Sequence, residues 1–326
     1  MTILVTGVAG FIGYHTAEAL LARGERVLGL DNMNPYYDTK LKQARLHRLE
    51  RHPNFRYVFA DLGRAQALNA AVAHHIKNLT GIVHLAAQAG VRHSIDHPTD
   101  YVAANLSGHL NVLEVGRHAP QLKHLVYASS SSVYGNNTKV PFAEDDPVER
   151  PASLYAATKR SDELMSASYA HLYKLPLTGL RFFTVFGPWG RPDMAYYRFT
   201  SAILAGKKIE VFGDGSVERD FTYIDDIVSG VIAALDRPPA GTEELPHRIY
   251  NLGTDRPVKL NHLIDLVEQA CGKKAERDVQ PPAAGDVKAT WADLTRARAD
   301  LGYDPKTSLA EGLEKFVAWY RDYAKV

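Results

Sequence analysis

Three glycines at a spacing of three, Gly7, Gly10 and Gly13, stand where the apolar run Ile3 to Thr6 gives way to a helical pattern. A strand that turns directly into a helix through such a loop constrains the fold more than any other feature of the chain. The loop backbone can approach a ligand closely, and the unpaired amides at the helix start, with its positive dipole end, favour an anion. The spacing is one residue wider than the commonest dinucleotide-binding fingerprint, so the loop needs support from the rest of the sequence. That support begins with the order of elements. Ile3 to Thr6, Arg26 to Asp31, Phe55 to Ala60, Gly81 to Leu85, His124 to Ser129 and Leu177 to Phe182 read as short strands separated by helical patterns. Strict alternation predicts an α/β fold, a doubly wound parallel sheet with helices on both faces and right-handed crossovers.

After residue 182 the pattern loosens. Gly187 to Pro192, the turn Gly213-Asp214-Gly215 and the link Gln280-Pro281-Pro282 break it into smaller pieces. The expected division is a nucleotide-binding domain over 1–182, with the chain returning to it around 221–252, and a smaller α/β domain built mostly from 183–326. Helices are expected at Met194 to Ala205, Asn261 to Cys271, Ala292 to Leu301 and Leu309 to Tyr323, the last with Leu313, Phe316, Val317 and Tyr320 on one face. The chain has 326 residues, 45% of them hydrophobic and 23% charged, the balance of an ordinary globular protein with a sizeable core. No apolar run is long enough to span a bilayer, and the N-terminus shows no export signal, so no membrane association is expected. Cys271 is the only cysteine, which excludes an internal disulfide or a multi-cysteine metal site and points to the cytoplasm. With 38 basic and 37 acidic side chains there is no excess charge to recruit nucleic acid.

Asp31, at the end of the second strand, gives the glycine loop a specific meaning. A carboxylate there hydrogen-bonds the adenosine ribose of a dinucleotide, and no arginine follows in Asn32-Met33 to balance a 2′-phosphate, so NAD is favoured over NADP. The loop residues Gly7, Gly10, Phe11, Ile12 and Gly13, then Asp31, Asn32, Asp61, Leu62, Leu85, Ala86 and Ala87, line the carboxyl edge where such a cofactor lies. His84 reads as a hydrogen-bonded core residue. No metal is called for.

The fifth strand runs into Ser129-Ser130-Ser131-Ser132, and the next helix opens with Pro151-Ala152-Ser153-Leu154-Tyr155-Ala156-Ala157-Thr158-Lys159. Tyr155 and Lys159 are i and i+4, on one helical face. A phenol with an ordinary pKa of about 10 is a poor base at neutral pH, but an ammonium and a positively charged nicotinamide ring beside it both favour the phenolate. Lys159 can also reach the nicotinamide ribose. Ser130 or Ser132 would hydrogen-bond the alcohol whose proton Tyr155 takes.

With these pieces in place the whole chain resembles the extended short-chain dehydrogenase/reductase family, whose dinucleotide half is a Rossmann fold. The matching residues are Thr6-Gly7 to Gly13, Asp31, Asp61-Leu62, His84 to Ala87, Ser130, Tyr155 and Lys159. Within it the chain is most similar to nucleotide-sugar epimerases, the UDP-glucuronate 4-epimerases in particular, through Asn34 to Asp38, Ala89 to Ser94, Arg181 to Met194 and Val211 to Gly215. The resemblance implies NAD-dependent inversion at C4 of a UDP-sugar through a 4-keto intermediate, by a homodimer. It implies that Arg219 contacts the diphosphate, a role suited to a planar guanidinium, and that Asp286 holds the uridine ribose. Gln88, Ser131, Val211 and Phe212 complete the substrate contacts. Ala283 stands where galactose-type epimerases carry an arginine, and Thr184 where they carry an asparagine. Thr184 with Arg191 or Arg92 would suit a C6 carboxylate, favouring a uronic acid over a neutral hexose. The alternatives are a UDP-glucose/UDP-galactose 4-epimerase, a dehydratase, disfavoured by Ser131 and Ser132 where an acidic pair is expected, and a non-catalytic NAD-sensing scaffold. Dimerisation would use the segments Tyr101 to His118 and Ser153 to Tyr173, if their apolar stripe is not monomer core.

Overall fold

The structure is a computed structural model that describes every residue except 241–243 and 282–287. Six strands, β1 (Thr2–Thr6), β2 (Arg26–Asp31), β3 (Phe55–Phe59), β4 (Leu79–His84), β5 (His124–Ser130) and β6 (Leu177–Phe182), follow the sequence expectation to within two residues at every end. Three strands, β7 (Thr184–Phe186), β8 (Ile209–Phe212) and β9 (Glu218–Tyr223), precede β10 (His247–Leu252), which adds to the far edge of the same sheet beside β6. The seven-stranded parallel sheet has the order β10-β6-β5-β4-β1-β2-β3. Its strand order reverses between β1 and β4, and there the carboxyl ends open the crevice in which doubly wound folds bind ligands.

Alternation along each strand builds two core layers. In β1, Ile3 and Val5 face the layer containing helices Phe11–Ala22 and Ile224–Leu235, while Leu4 faces the opposite layer with helices Ala65–Val72, Gly108–His118 and Leu154–Tyr173. Both faces are therefore covered, as a parallel sheet requires. The first layer continues into the smaller C-terminal part through Phe186, Tyr196, Val211, Leu263 and Phe316. That part contains β11 (Pro257–Lys259), β12 (Arg277–Gln280) and β13 (Ala289–Thr290). β9 is flanked by β11 and β13 and also pairs with β7, while β8 pairs with β12. Among the described residues no helix is long and apolar enough to cross a membrane.

Two helix starts differ from expectation for local reasons. The helix carrying Tyr155 begins at Leu154, because the Ser153 hydroxyl caps it by accepting the Ala156 N–H at 3.1 Å; Pro151 and Ala152 stay outside. The expected helix at Ala292 begins at Thr295, since Trp291 to Asp293 are drawn into strand-like pairing with Phe142.

Candidate active site

The glycine loop is built by close approach. Gly7 sits at φ +71°, where an L side chain is strained, and a Cβ there would lie 2.8 Å from the Ala86 backbone. A Cβ on Gly13 would lie 2.1 Å from the Gly7 carbonyl oxygen. The loop is pinned by Gly7 N–H donating to the Leu30 carbonyl at 2.7 Å and Gly10 N–H donating to the Gly7 carbonyl at 2.8 Å. Asp31 accepts from the Ala9 N–H at 3.1 Å and from the Met33 N–H at 2.8 Å. A cation does reach it: Lys42 Nζ, from the helix Thr39–Leu49, lies 3.7 Å from Asp31 Oδ1. The residues directly after β2 hold no arginine, as expected, and the cation beside Asp31 comes from a helix instead.

One cavity of about 790 Å³ runs from this loop into the smaller part of the molecule. It is lined by all the expected cofactor residues, by Ser130, Ser131, Ser132, Tyr155 and Lys159, and by Gln88, Arg92, Thr184, Arg191, Phe212 and Arg219. Val211 is different: its side chain is buried in the core, and its neighbour Phe212 lines the cavity. Asp286 and Ala283 lie outside the described residues. Ser130 caps a short turn after β5 by accepting the Ser132 N–H at 3.2 Å, which holds the serine cluster at the strand's end. Tyr155 packs edge-on against Tyr101. Lys159 is buried, donating to the Ala128 carbonyl at 2.9 Å and to Asp162 at 3.0 Å.

The sugar end is more crowded with charge than the sequence suggested. Arg191 forms a two-pronged ion pair with Asp193, and the Tyr36 hydroxyl donates to the same carboxylate at 3.2 Å. Burial alone would raise the Asp193 carboxyl; the Arg191 guanidinium overrides it and holds Asp193 below the usual range. Arg92 stacks over the Phe212 ring, 4.6 Å from its centroid. Tyr36, Lys42, His93 and Asp193 are cavity residues that sequence reasoning missed, although Tyr36, His93 and Asp193 lie inside motifs that carried the resemblance. At the rim, His93, His97 and Asp100 offer ligand atoms within 4.8 Å of one another and form the one group of described side chains placed to hold a metal ion. His84 is a core residue as expected, bonded through Nδ1 to Thr6 Oγ1 at 2.7 Å, and burial pushes it down to about 3.

The chemistry available is therefore a phenol and an ammonium on one helical face, with hydroxyls at the adjoining strand end. All open onto a cavity with an anion-binding loop and several arginines. A family model described as the NAD dependent epimerase/dehydratase family matches residues 3–253. UDP-glucuronate 4-epimerase 5 of Arabidopsis thaliana is 50% identical, over 99% of this chain and 76% of its own length. A solved UDP-glucuronic acid 4-epimerase from Bacillus cereus, in complex with UDP-glucuronic acid and NAD, superposes with TM-score 0.91 at 34% identity, covering 99% of this chain and 100% of that one. A UDP-glucose 4-epimerase from Thermotoga maritima with UDP-glucose gives TM-score 0.88 at 31% identity, covering 99% and 100%.

Proposed function

This chain belongs to the NAD dependent epimerase/dehydratase family, and from that membership we propose that it inverts C4 of UDP-glucuronate, giving UDP-galacturonate. The observation that carries the reading is a single cavity shared by the glycine loop with Asp31, by Tyr155 and Lys159, and by Thr184 with Arg92, Arg191 and Arg219. The loop fits NAD: its glycines permit the tight turn from β1 into the helix, where a Cβ would strike the neighbouring backbone, and Asp31 stands at the end of β2, the ribose position of such folds. Bound NAD supplies a hydride acceptor that returns the hydride after the sugar has turned over. Tyr155 removes the 4-OH proton as C4 is oxidised and later returns it to the opposite face. Lys159 favours the phenolate during the first step, and Ser130 or Ser132 holds the reacting oxygen. Arg219 anchors the diphosphate by contacts that stay constant through the cycle, with Asp286 on the uridine ribose, so the hexose is free to rotate. The cofactor contacts fall mostly in residues 1–182 and the substrate contacts in 183–326.

The uronate assignment rests on the relatives' substrate and on the cations at the sugar end. A 4-ketone β to the C6 carboxylate invites decarboxylation, and Thr184 holds that carboxylate so the C5–C6 bond stays out of line with the carbonyl. Arg191 meets it only by sharing with Asp193, so Thr184 carries the larger part of this role. Purified protein incubated without added NAD should convert UDP-glucuronate; conversion of UDP-glucose alone would replace the reading with a UDP-glucose/UDP-galactose 4-epimerase.

Assembly as a homodimer is part of the same proposal. Val102 and Leu110 on one segment, with Leu164, Leu172 and Tyr173 on the helix Leu154–Tyr173, remain exposed and suit burial against a second copy. A monomeric mass in light scattering would contradict it. The single cysteine, buried Cys271, supports the cytoplasm as the compartment.

A further inference from the structure

The stripe that carries Tyr155 and Lys159 continues one turn further to Asp162, and nothing in the reaction as written uses that residue. Asp162 is fully buried, and its Oδ2 accepts from Lys159 Nζ at 3.0 Å. Its other oxygen has no hydrogen-bond partner among the described residues. A carboxylate in that position is unusual, because a buried charge is costly unless it is paired and bonded on both oxygens.

Of the groups packed around Asp162 and Lys159, the histidines and the tyrosine carry no charge near neutral pH, and the one further carboxylate acting on Asp162 is Glu163. From β4, His84 is held neutral by burial, being pushed down to about 3. From the helix Gly108–His118, His109 is pushed well below the ordinary range by burial, and its ring bonds to Ser166 at 2.9 Å. From β5, burial keeps the Tyr127 phenol protonated. On the same helix Glu163 is committed elsewhere, accepting from Arg181, Ser129 and Arg160. The Asp162 carboxylate thus acts on Lys159 before anything else.

We propose that Asp162 is a positioning residue for the catalytic pair: its charge fixes the Lys159 ammonium against the Ala128 carbonyl and sets how much positive field reaches Tyr155. The inference rests on the assignment of Tyr155 and Lys159 above. A carboxylate two helical turns from the phenol partly cancels the lysine's field at Tyr155. Burial pushes Asp162 itself up to about 6 against the opposing pull of Lys159, so the carboxylate is charged through the neutral range and neutral below it.

Removing a nearby negative charge lowers the pH at which a phenol loses its proton. At roughly 10 Å along the helix, and with the screening usual inside proteins, the effect is on the order of tenfold in the ionisation constant. The experiment is an ultraviolet difference titration of the NAD-loaded enzyme for phenolate absorbance, with the Tyr155→Phe form of each variant subtracted so that the signal reports Tyr155 alone. Asp162→Asn should move the midpoint down by about one pH unit, and Asp162→Glu, which keeps the charge, should restore it towards the parent value. Asp162→Ala, also uncharged, serves as a second neutral variant should Asn fail to fold. Midpoints in the neutral variants equal to the parent's would overturn the proposal, whatever happens to turnover. If instead Tyr155→Phe retained turnover, the catalytic assignment would fall while the titration still tested the charge coupling.

Discussion

Adding one methyl group at Gly13 tests the cofactor loop most sharply. A Cβ there would lie 2.1 Å from the Gly7 carbonyl oxygen, and Cβ atoms are essentially never found closer than 3.0 Å to such a neighbour, so the oxygen must retreat by about 0.9 Å. It cannot retreat alone. The same carbonyl accepts the Gly10 N–H at 2.8 Å, and the Gly7 N–H is held by Leu30 at 2.7 Å, so relief of the clash distorts the turn that lines the cavity. Overpacking of this size costs about 1–3 kcal/mol. Because the strain is relieved by distorting the loop, the cost falls on NAD binding, a loss of roughly fivefold to more than a hundredfold in affinity. The assay is NAD content per protomer after purification, followed by calorimetric titration of NAD into stripped protein. Gly206→Ala is the control: Gly206 sits at φ +66°, where a side chain is strained, but its Cβ would meet nothing within 4 Å, so the substitution should cost stability without touching NAD affinity. Parent-like NAD content and affinity in Gly13→Ala would refute the reasoning.

Other predictions concern substrate fate, stability and pH. Thr184→Ala should release more UDP-pentose from UDP-glucuronate than the parent enzyme, measured by chromatography of the products; an unchanged yield would remove Thr184 from control of decarboxylation. Glu163→Gln should destabilise the fold by about 3–5 kcal/mol in urea unfolding, because it leaves buried Arg181 without its two-pronged partner. His84 and His124 are buried and held neutral, pushed down to about 3 and about 4. Between about pH 6.5 and those values the unfolded chain binds protons that the folded one refuses, so stability is lost as pH falls. From pH 7 to pH 5 each should cost about 2 kcal/mol, read as a falling urea midpoint.

The parallel sheet was legible because most of its strands are short, largely apolar runs, and the central ones, β1, β4, β5 and β6, are buried along almost their whole length. Tyr155, Lys159 and the glycine loop were legible because their chemistry depends on short local spacing. What escaped notice depends on contacts between distant residues. Lys42 belongs to a helix dense in lysine, arginine and histidine that reads as solvated, yet its ammonium reaches Asp31. Arg45 on the same helix is fully buried and donates to the carbonyls of Ala9, Trp189 and Gly190, bracing the loops around the cavity. Ser161-Asp162-Glu163 likewise looks like a polar helix surface, and the packing of β5, β6 and the helix Gly108–His118 against it makes Asp162 and Glu163 interior. Arg191 was visible as a cation, but its partner Asp193 turned an open charge into a shared one.

In the proposed reaction hydride leaves C4 and returns to the same carbon without exchanging with water. UDP-glucuronate deuterated at C4 should give UDP-galacturonate with the deuterium retained at C4, followed by nuclear magnetic resonance in ordinary water. Deuterium lost to solvent during inversion would contradict the account.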